Sequence, residues 1–373
     1  MLTRLGQVEL ISDPAAIAEL RPEWNRLLAA SRSDCLFLTW EWLSTWWRHL
    51  SAGRKLALLT LRAADELVAI APFALSPRFR YGHPLETLEL LGSGYVGSDY
   101  LDVIAAPGYE DEAVTAIGNY LSCQPYAVRC SNIGPGAMTE TLAAQLHRRH
   151  WSLNELQINV CPYIPLDGLT WESYLATLGA EHRYNFRRKW QRLNRDYSVR
   201  WEAVTGHEQC RAAIDRVIDL HRLRWREHGT SDAFHTPELL AFHRELAPLA
   251  FERRWLRIYT LWLNDRPAAC LYGFLYGCKF YFYQSGFDPR FAKHSVGLVT
   301  MGLAIREAIA EHAREFDLLH GNEDYKSHWA SSYRSLKRYE LFPAHTLGRL
   351  AKTSVQLIRN ARKVAPGVLT TAR

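Results

Sequence analysis

Long apolar runs, signal-peptide features and paired cysteine motifs are all missing from the 373-residue sequence. The longest uninterrupted apolar run is Leu67–Leu75, whereas a membrane-spanning helix needs about 20 such residues. The N-terminal segment has no cationic end followed by an apolar block, so we expect no signal peptide. The seven cysteines are odd in number and include no Cys-x-x-Cys, which argues against disulfide frameworks and zinc ribbons. These absences favour a cytoplasmic protein whose thiols are free.

Motifs for metal, nucleotide and nucleophile chemistry are also absent. The 15 histidines include no His-x-x-x-His pair beside an acid, so we expect no metal site. Neither a Walker loop nor Gly-x-Ser-x-Gly occurs, which argues against P-loop and serine-hydrolase chemistry. The glycine-rich segment Gly92–Gly97 leads into a strand-like stretch instead of a helix, and this context excludes a dinucleotide fingerprint.

What is present is an ordinary globular composition with an uneven charge distribution. Hydrophobic residues make up 48% and charged residues 23% of the chain, and its length predicts two domains at about 150 residues each. The net charge of +6 is concentrated, because residues 183–200 hold seven Lys/Arg against one Asp and residues 344–373 hold six against no acid. Two local basic patches predict recognition of an anionic small molecule or glycan and argue against DNA binding.

Strand-like and helix-like segments alternate along the first part of the chain. Residues 161–165, Cys-Pro-Tyr-Ile-Pro, contain two prolines, which predicts an extended linker. We therefore place one domain at 1–160, a second at 161–345 and a basic C-terminal helix or tail at 346–373. The predicted fold class is α+β, with helices layered on mixed and mostly antiparallel sheets.

The second domain contains a clear strand-rich region. Strands are predicted at 257–263, 267–276 and 279–285, and the short turns Asn264-Asp265 and Gly277-Cys278 between them predict a meander of two hairpins. A helix is then predicted from Val296 to His312, and a short strand over Phe316–Leu319.

The start of the predicted helix at Val296 has the features of an anion site. Ser295 is a candidate N-cap, and Gly297 allows the backbone to approach a ligand closely. Lys293 and His294 add positive charge just before the helix. Free N–H groups at a helix N-terminus bind phosphate groups well, so these residues predict a diphosphate site.

Several motifs in one order carry a resemblance to a known family. They are Arg183-Tyr-Asn-Phe-Arg187-Arg188, Leu220-His221-Arg222-Leu223-Arg224-Trp225, Tyr283-Gln284-Ser285-Gly286-Phe287-Asp288-Pro289, Ser295-Val296-Gly297, Phe316-Asp317-Leu318-Leu319 and Gly321-x-Glu323-x-Tyr325-Lys326. From about residue 183 to about 336 the chain resembles the CelD/BcsL-type acetyltransferase domain of the GNAT superfamily. That domain is related to one half of the Fem-type aminoacyl transferases, which are two GNAT folds in tandem. Val296 departs from the family, which usually has proline there.

The resemblance implies two tandem GNAT-like domains and an acetyl-CoA co-substrate. The pantetheine arm would follow the strand at 279–285, beside a slot where the strand at 316–319 diverges. Donor binding would fall to Gln284, Ser285, Lys293, His294, Ser295, Val296 and Gly297. The implied catalytic candidates are Tyr325 and Lys326 for the leaving thiolate, and His320, Glu323 and Asp288 for the base.

The acceptor implied by the resemblance is an amine on an amino sugar or an envelope-polysaccharide intermediate. Arg183, Arg187 and Arg188 of the basic segment, together with Asp99 in the N-terminal half, are the predicted substrate-binding residues. Two alternatives stay open. The donor could be an aminoacyl-tRNA, as in Fem-type transferases, although no long coiled-coil arm is visible. The chain could also be a non-catalytic accessory of a polysaccharide synthase.

The C-terminal segment predicts an amphipathic helix over residues 347–364. Leu347, Leu350 and Leu357 fall on one side and basic residues on the other. Such a helix either packs on the protein body or contacts an anionic membrane surface. A peripheral location at the inner membrane is therefore an expectation beside the cytoplasmic one.

Overall fold

The computed structural model of the protein describes residues 5–226, 233–321 and 323–364. The helices within these ranges are α1 (Ala16–Glu19), α2 (Arg21–Ala30), α3 (Trp40–Leu50), α4 (Glu110–Ser122), α5 (Met138–Arg148), α6 (Trp171–Thr177), α7 (Ala180–Asp196), α8 (Cys210–Trp225), α9 (Pro237–Glu252), α10 (Val296–Ala310), α11 (Asp324–Ser327) and α12 (Thr346–Val364). The strands are β1 (Glu9–Ile11), β2 (Lys55–Ala63), β3 (Glu66–Ser76), β4 (Thr87–Leu90), β5 (Ile104–Ala105), β6 (Ala127–Ile133), β7 (Ser152–Pro165), β8 (Val199–Ala203), β9 (Leu256–Leu263), β10 (Arg266–Tyr276), β11 (Lys279–Phe287), β12 (Glu315–Asp317) and β13 (Ser332–Phe342).

These elements form two compact units. Unit 1 comprises the described residues within Met1–Trp47, Ser51–Ile158 and Ser335–Arg373, and unit 2 comprises those within Arg48–Leu50 and Asn159–Arg334. In each unit helices flank a mixed sheet, so the predicted α+β class is confirmed.

The sheet of unit 1 has the strand order β1-β2-β3-β4-β6-β13, with β5 beside β3. Only β4 and β6 are parallel among these pairs; the other described pairs are antiparallel. Its last strand comes from the C-terminal end of the chain, because Lys337–Leu341 of β13 pair with β6. The predicted second domain, 161–345, therefore differs from unit 2 in its last residues.

The sheet of unit 2 runs in the order β7-β12-β11-β10-β9-β8. Strands β8 to β11 form an antiparallel meander, while β11 and β12 are parallel. The predicted two-residue turns are confirmed: Asn264 and Asp265 have φ of 48° and 59°, and Gly277 and Cys278 have φ of 54° and 59°. Positive φ at both central residues is typical of type I′ hairpins, whose twist matches that of the strands.

The predicted linker at residues 161–165 is wrong, because these residues form the end of β7. Tyr163, Ile164 and Pro165 pair with Asp317, Phe316 and Glu315 of β12. The Pro162 carbonyl also accepts a hydrogen bond from Leu318 N at 2.9 Å. Proline lacks only the N–H donor, so it is compatible with a strand position that pairs through its carbonyl. Strand β8 was not predicted and extends the meander by one strand.

Helix α12 attaches to unit 1 by one face and exposes another. Ala351 and Val355 are buried in a cluster with Leu85, Ala127 and Phe342. Leu347, Leu350 and Leu357 are more than half exposed. Residues 365–373 of the predicted tail lie outside the described residues. None of the helices in the described part of the chain has the length and apolarity needed to cross a membrane.

The close contact between α8 and β11 fixes the strand on which the site is built. A Cβ atom on Gly286 would overlap the backbone of Leu220 and His221, with His221 Cα only 2.7 Å away. His221 Nδ1 also donates a hydrogen bond to the Ser285 carbonyl at 3.1 Å. Burial lowers the pKa of His221 to about 4, so the imidazole is neutral at neutral pH and donates through its Nδ1–H tautomer. Only glycine permits so close an approach of helix and strand.

We expect Gly286→Ala to lower the free energy of unfolding by about 2 kcal/mol or more, because overpacking against backbone atoms cannot be relieved by a rotamer change. Chemical denaturation measures the difference. The matched control is Gly179→Ala in the same unit, where an added Cβ has no atom within 4 Å. Equal stability of the two variants would contradict the close packing at Gly286.

Candidate functional site

The site is built where two parallel strands part. Strands β11 and β12 pair only from Lys279 to Tyr281, opposite Glu315 to Asp317. Beyond this point β12 ends, whereas β11 continues to Phe287. The pairing between the two strands therefore ends after three residues, because β12 stops at Asp317 where a strand over 316–319 was predicted. The rest of β11 has no neighbouring strand on this edge.

Strand β11 contains a bulge within this unpaired stretch. On β10, Tyr272 lies opposite Gln284 and Gly273 lies opposite Phe282, so Tyr283 is an extra residue in the ladder. A bulge bends its strand and redirects the side chains that follow it. The direction of β11 changes just before Ser285, where the pocket begins.

A pocket of about 820 Å³, counting its open mouth, occupies the space beside β11 within unit 2. Its walls come from α7, α8, the end of β11, the start of α10 and the segment around α11. The lining residues are His182, Arg224, Cys270, Leu271, Ser285, Gly286, Phe287, Ala292, Ser295, Val296, Gly297, Leu298, Thr300, Met301, Tyr325, His328 and Trp329.

The N-terminus of α10 faces this pocket with free backbone donors. The first α-helical hydrogen bond at this end runs from Val299 N to Ser295 O at 3.2 Å, so the N–H groups of the residues before Val299 have no intrahelical acceptor. The predicted side-chain cap by Ser295 is wrong. Ser295 adopts left-handed φ and ψ of 56° and 41° and its hydroxyl caps no N–H of the helix, which leaves these donors available to an anion.

Two further observations fit a ligand that carries polar groups. A Cβ built on Gly297 would meet only the Phe287 ring, at 3.7 Å, so the space above the helix start is open. Thr300 Oγ1, one turn further along the same helix, is buried without a hydrogen-bond partner among the described residues. Buried polar atoms without partners are rare in proteins, and both features suit a diphosphate and its linker.

The other end of the pocket holds ionisable side chains. The His182 and His328 rings lie 5.6 Å apart, and His182 packs edge-on against Trp329 at 4.4 Å. Burial, and then the neighbouring His328, lower the pKa of His182. Burial raises the pKa of Tyr325, with Glu323 adding to the shift. At neutral pH the His182 imidazole and the Tyr325 phenol are therefore both uncharged.

Among the predicted catalytic residues, Tyr325 is the one that lines the pocket. Lys326 is buried, and its Nζ donates to the His320 carbonyl at 2.9 Å and lies 3.0 Å from Glu323 Oε2. This set of contacts closes the turn between β12 and α11. The structure thus brings His320, Glu323 and Lys326 together outside the pocket walls, in a structural cluster.

Asp288, the remaining predicted base, also faces away from the pocket. Its carboxylate accepts hydrogen bonds from the Arg290 side chain and from Arg290 N at 3.0 Å. The Arg290 guanidinium holds the pKa of Asp288 below its ordinary value, and a carboxylate stabilised in its charged form is a weak base.

The predicted donor-binding residues divide in the same way. Ser295, Val296, Gly297 and Ser285 line the pocket. Ser285 N donates to Gln284 Oε1 at 3.0 Å, so this N–H already has a partner that a ligand carbonyl would have to replace. His294 lies 2.9 Å from the Tyr197 hydroxyl through Nε2, and the Lys293 carbonyl accepts from Lys189 Nζ. Both residues shape the loop before α10.

The predicted substrate-binding residues do not line the pocket. Arg183 donates to the carbonyls of Leu175 and Ala176, both at 3.3 Å, at the C-terminal end of α6. Arg187 and Arg188 are exposed on α7. Asp99 is fully buried in unit 1.

The sequence analysis did not predict the three basic residues of the pocket lining, namely His182, Arg224 and His328. Arg224 belongs to the motif over residues 220–225, but the sequence did not indicate that its side chain points into a pocket. His182 lies at the start of α7, one residue before the basic segment. Within the described residues, no group of three His, Cys, Asp or Glu side chains could hold a metal ion.

Comparison with known proteins agrees with this geometry. Residues 180–327 match the family described as "Acetyltransferase (GNAT) domain", so the chain contains a GNAT-type acetyltransferase domain. No curated protein sequence matches the chain.

Three solved structures share the fold over most of this chain. FemX is 11% identical with a TM-score of 0.62, over 94% of this chain and 100% of that one. The C-terminal domain of a putative lysylphosphatidylglycerol synthetase from Agrobacterium fabrum is 9% identical with a TM-score of 0.55, over 94% and 97%. A conserved protein of unknown function from Bacteroides thetaiotaomicron is 14% identical with a TM-score of 0.53, over 90% and 99%. At these identities the likeness shows the fold alone.

We expect Gly297→Ala to weaken acetyl-CoA binding about tenfold or more while it raises stability by about 0.5–1 kcal/mol, because alanine favours helix but adds a methyl group above the free N–H donors. Calorimetry and denaturation measure the two effects. The matched control is Gly118→Ala in α4 of unit 1, where the added atom meets only the end of the Gln145 side chain. Unchanged acetyl-CoA affinity in Gly297→Ala would contradict a phosphate site at this helix.

Proposed function

We propose that unit 2 is an acyl-CoA-dependent N-acyltransferase. The observation that carries the proposal is that the free edge of β11 and the N-terminus of α10 open onto one pocket. An extended amide-containing arm can pair with a free strand edge, and a diphosphate binds well at a helix N-terminus. Acyl-CoA contains both groups in one molecule.

The residues that would hold acyl-CoA follow from this arrangement. The N–H groups of Val296 and Gly297 would bind the diphosphate, and the Thr300 hydroxyl is a further donor. When bound, acyl-CoA supplies an acyl group activated as a thioester. Ser285 N–H is the proposed donor to the thioester carbonyl, with Gln284 Oε1 as its partner in the structure described here.

Proton handling falls to the side chains at the other end of the pocket. An amine must lose a proton before or as it attacks a carbonyl carbon, and a neutral imidazole is a suitable acceptor. His182, supported by His328, fits this role because its pKa is lowered. Tyr325 keeps its phenolic proton at neutral pH and is the proposed donor to the leaving thiolate.

The finer assignment rests on the sequence motifs. We propose membership of the CelD/BcsL-type family, with an amine of an amino sugar or of an envelope-polysaccharide intermediate as acceptor. The exposed leucines of α12 support peripheral contact with the membrane or with a polysaccharide synthase, and this contact stays a prediction.

The alternative donor is an aminoacyl-tRNA, as the resemblance to Fem-type transferases allows. The two basic segments of the sequence support this alternative, because tRNA is a polyanion. If the chain is a non-catalytic accessory of a polysaccharide synthase, the pocket either binds no donor or binds one without turnover.

We expect the protein to bind acetyl-CoA with micromolar affinity and to gain about 2.7 kcal/mol of stability at a concentration 100 times the Kd. Calorimetry and thermal unfolding measure these quantities, with ADP and pantetheine titrated separately as partial ligands. Stabilisation by a charged tRNA without any by acetyl-CoA would establish the alternative donor. Stabilisation by neither would favour the non-catalytic accessory.

We also expect His182→Asn to lower kcat/KM for acyl transfer by about 100-fold. The pH profile of kcat/KM should also lose one titration on its acidic side. Because the pKa of His182 is lowered, activity should rise with pH through a midpoint below the ordinary histidine pKa of about 6.5 and then level off. The acceptor's own titration is common to both proteins and cancels in the ratio of their profiles. An unchanged profile would exclude His182 as the base.

A further inference from the structure

Arg224 brings a positive charge to the described lining of the pocket. Arg224, His182 and His328 are its basic members, and no Asp or Glu of the described residues lines it. A lining of this kind attracts an anion and disfavours a second cation. The charge of the lining therefore favours a ligand that carries a negative charge.

We infer that the acceptor amine carries a carboxylate or phosphate group and that Arg224 binds this group. The inference rests on the proposed N-acyltransferase function and names the chemical class of its acceptor. Arginine is suited to this role because its planar guanidinium forms paired hydrogen bonds with carboxylate and phosphate oxygens.

The surroundings of Arg224 leave its donors unused. Its guanidinium carbon lies 5.4 Å from the Phe287 ring centroid, 5.7 Å from that of Trp225 and 5.9 Å from that of Tyr325. Aromatic faces hold a guanidinium in place without using its N–H groups. The described residues provide Arg224 with no hydrogen bond or ion pair.

Other half-buried arginines of unit 2 use their donors. Arg183 donates to backbone carbonyls and Arg216 to the Thr260 hydroxyl. Arg244 pairs with Asp215 at 2.7 Å, and Arg257 donates to Glu311 at 2.9 Å. Arg224 is half-buried like them, yet it has an aromatic surround in place of a carboxylate partner. A half-buried guanidinium that has neither a hydrogen bond nor an ion pair with the described residues is the arrangement expected of a binding residue.

The position of Arg224 assigns the anion to the acceptor. The donor's diphosphate has its own site at Val296 and Gly297, on α10. Arg224 contacts Phe287, the ring beside Gly297, and also Tyr325, the proposed proton donor. The contact with Tyr325 is the one on which we base the acceptor assignment. An anionic group held there would place the amine of the same molecule close to Tyr325 and His182.

The basic segment of α7 does not compete for this role. Arg183 caps the end of α6, and Arg187 and Arg188 are exposed outside the pocket. An anionic acceptor is therefore still expected. The residue proposed to bind it is Arg224 on α8, in place of the arginines of α7.

The test compares glucosamine 6-phosphate with glucosamine on protein saturated with CoA, by calorimetry, after acetyl-CoA binding to the wild type has been measured. We expect the phosphorylated amine to bind at least tenfold more tightly than the neutral amine. Arg224→Gln should weaken the phosphorylated amine about 10- to 100-fold, as the loss of a charged hydrogen-bonded pair does, and should leave glucosamine and acetyl-CoA unchanged.

Two variants complete the experiment. Arg226→Gln is the matched control, because Arg226 is exposed directly after the same helix and does not line the pocket. Arg224→Lys keeps the charge without the planar donor pair and should restore part of the affinity. Competition by inorganic phosphate in the wild type but not in Arg224→Gln would support an anion site at this residue.

The outcomes separate this inference from the proposed function. Failure of the wild type to bind acetyl-CoA would remove the proposed function itself. Acetyl-CoA binding without a preference for the phosphorylated amine would overturn the inference alone. If Arg224→Gln weakens acetyl-CoA as much as the phosphorylated amine, Arg224 serves the donor's phosphates and the acceptor assignment is wrong.

Discussion

The site depends on the fact that one strand, β12, is much shorter than its neighbour β11. Strand β12 pairs with β11 for three residues and then stops, so the remainder of β11 has backbone groups on one edge that no neighbouring strand satisfies. Such groups need partners. The pocket lies along this edge, where Ser285 N donates to Gln284 Oε1 and the Ser285 carbonyl accepts from His221 Nδ1. The helix that follows β11 adds its own free N–H groups at Val296 and Gly297.

Contacts with helices α8 and α9 keep this part of β11 in place. Gly286 admits α8 to backbone contact, and the neutral His221 ties the helix to the Ser285 carbonyl. His243 lies between the hydroxyls of Tyr272 and Tyr283, at 3.4 and 3.2 Å, and burial lowers its pKa to about 3. Tyr283 is the bulge residue, so a buried neutral histidine fixes the bend of the strand.

Local signals in the sequence predicted local structure well. Residues close together in the chain determine the two I′ turns and the helix that begins at Val296. The sequence could not predict side-chain direction. Lys326 and Asp288 have the chemistry of site residues, but one closes a turn and the other pairs with Arg290. Arg224 faces the pocket only because α8 crosses β11 where glycine permits it.

The prolines at 162 and 165 led to the wrong prediction of a linker, whereas in the structure they belong to strand β7. Proline disfavours helix and so resembles a linker, yet an extended strand that pairs through carbonyls accepts it equally well. Strand β7 is the antiparallel partner of β12, which lies far downstream. The slot between β11 and β12 therefore depends on residues that precede the matched range 180–327. A fragment limited to that range would leave β12 without the strand on its other side, and the short β12 has no other described pairing to hold it beside β11.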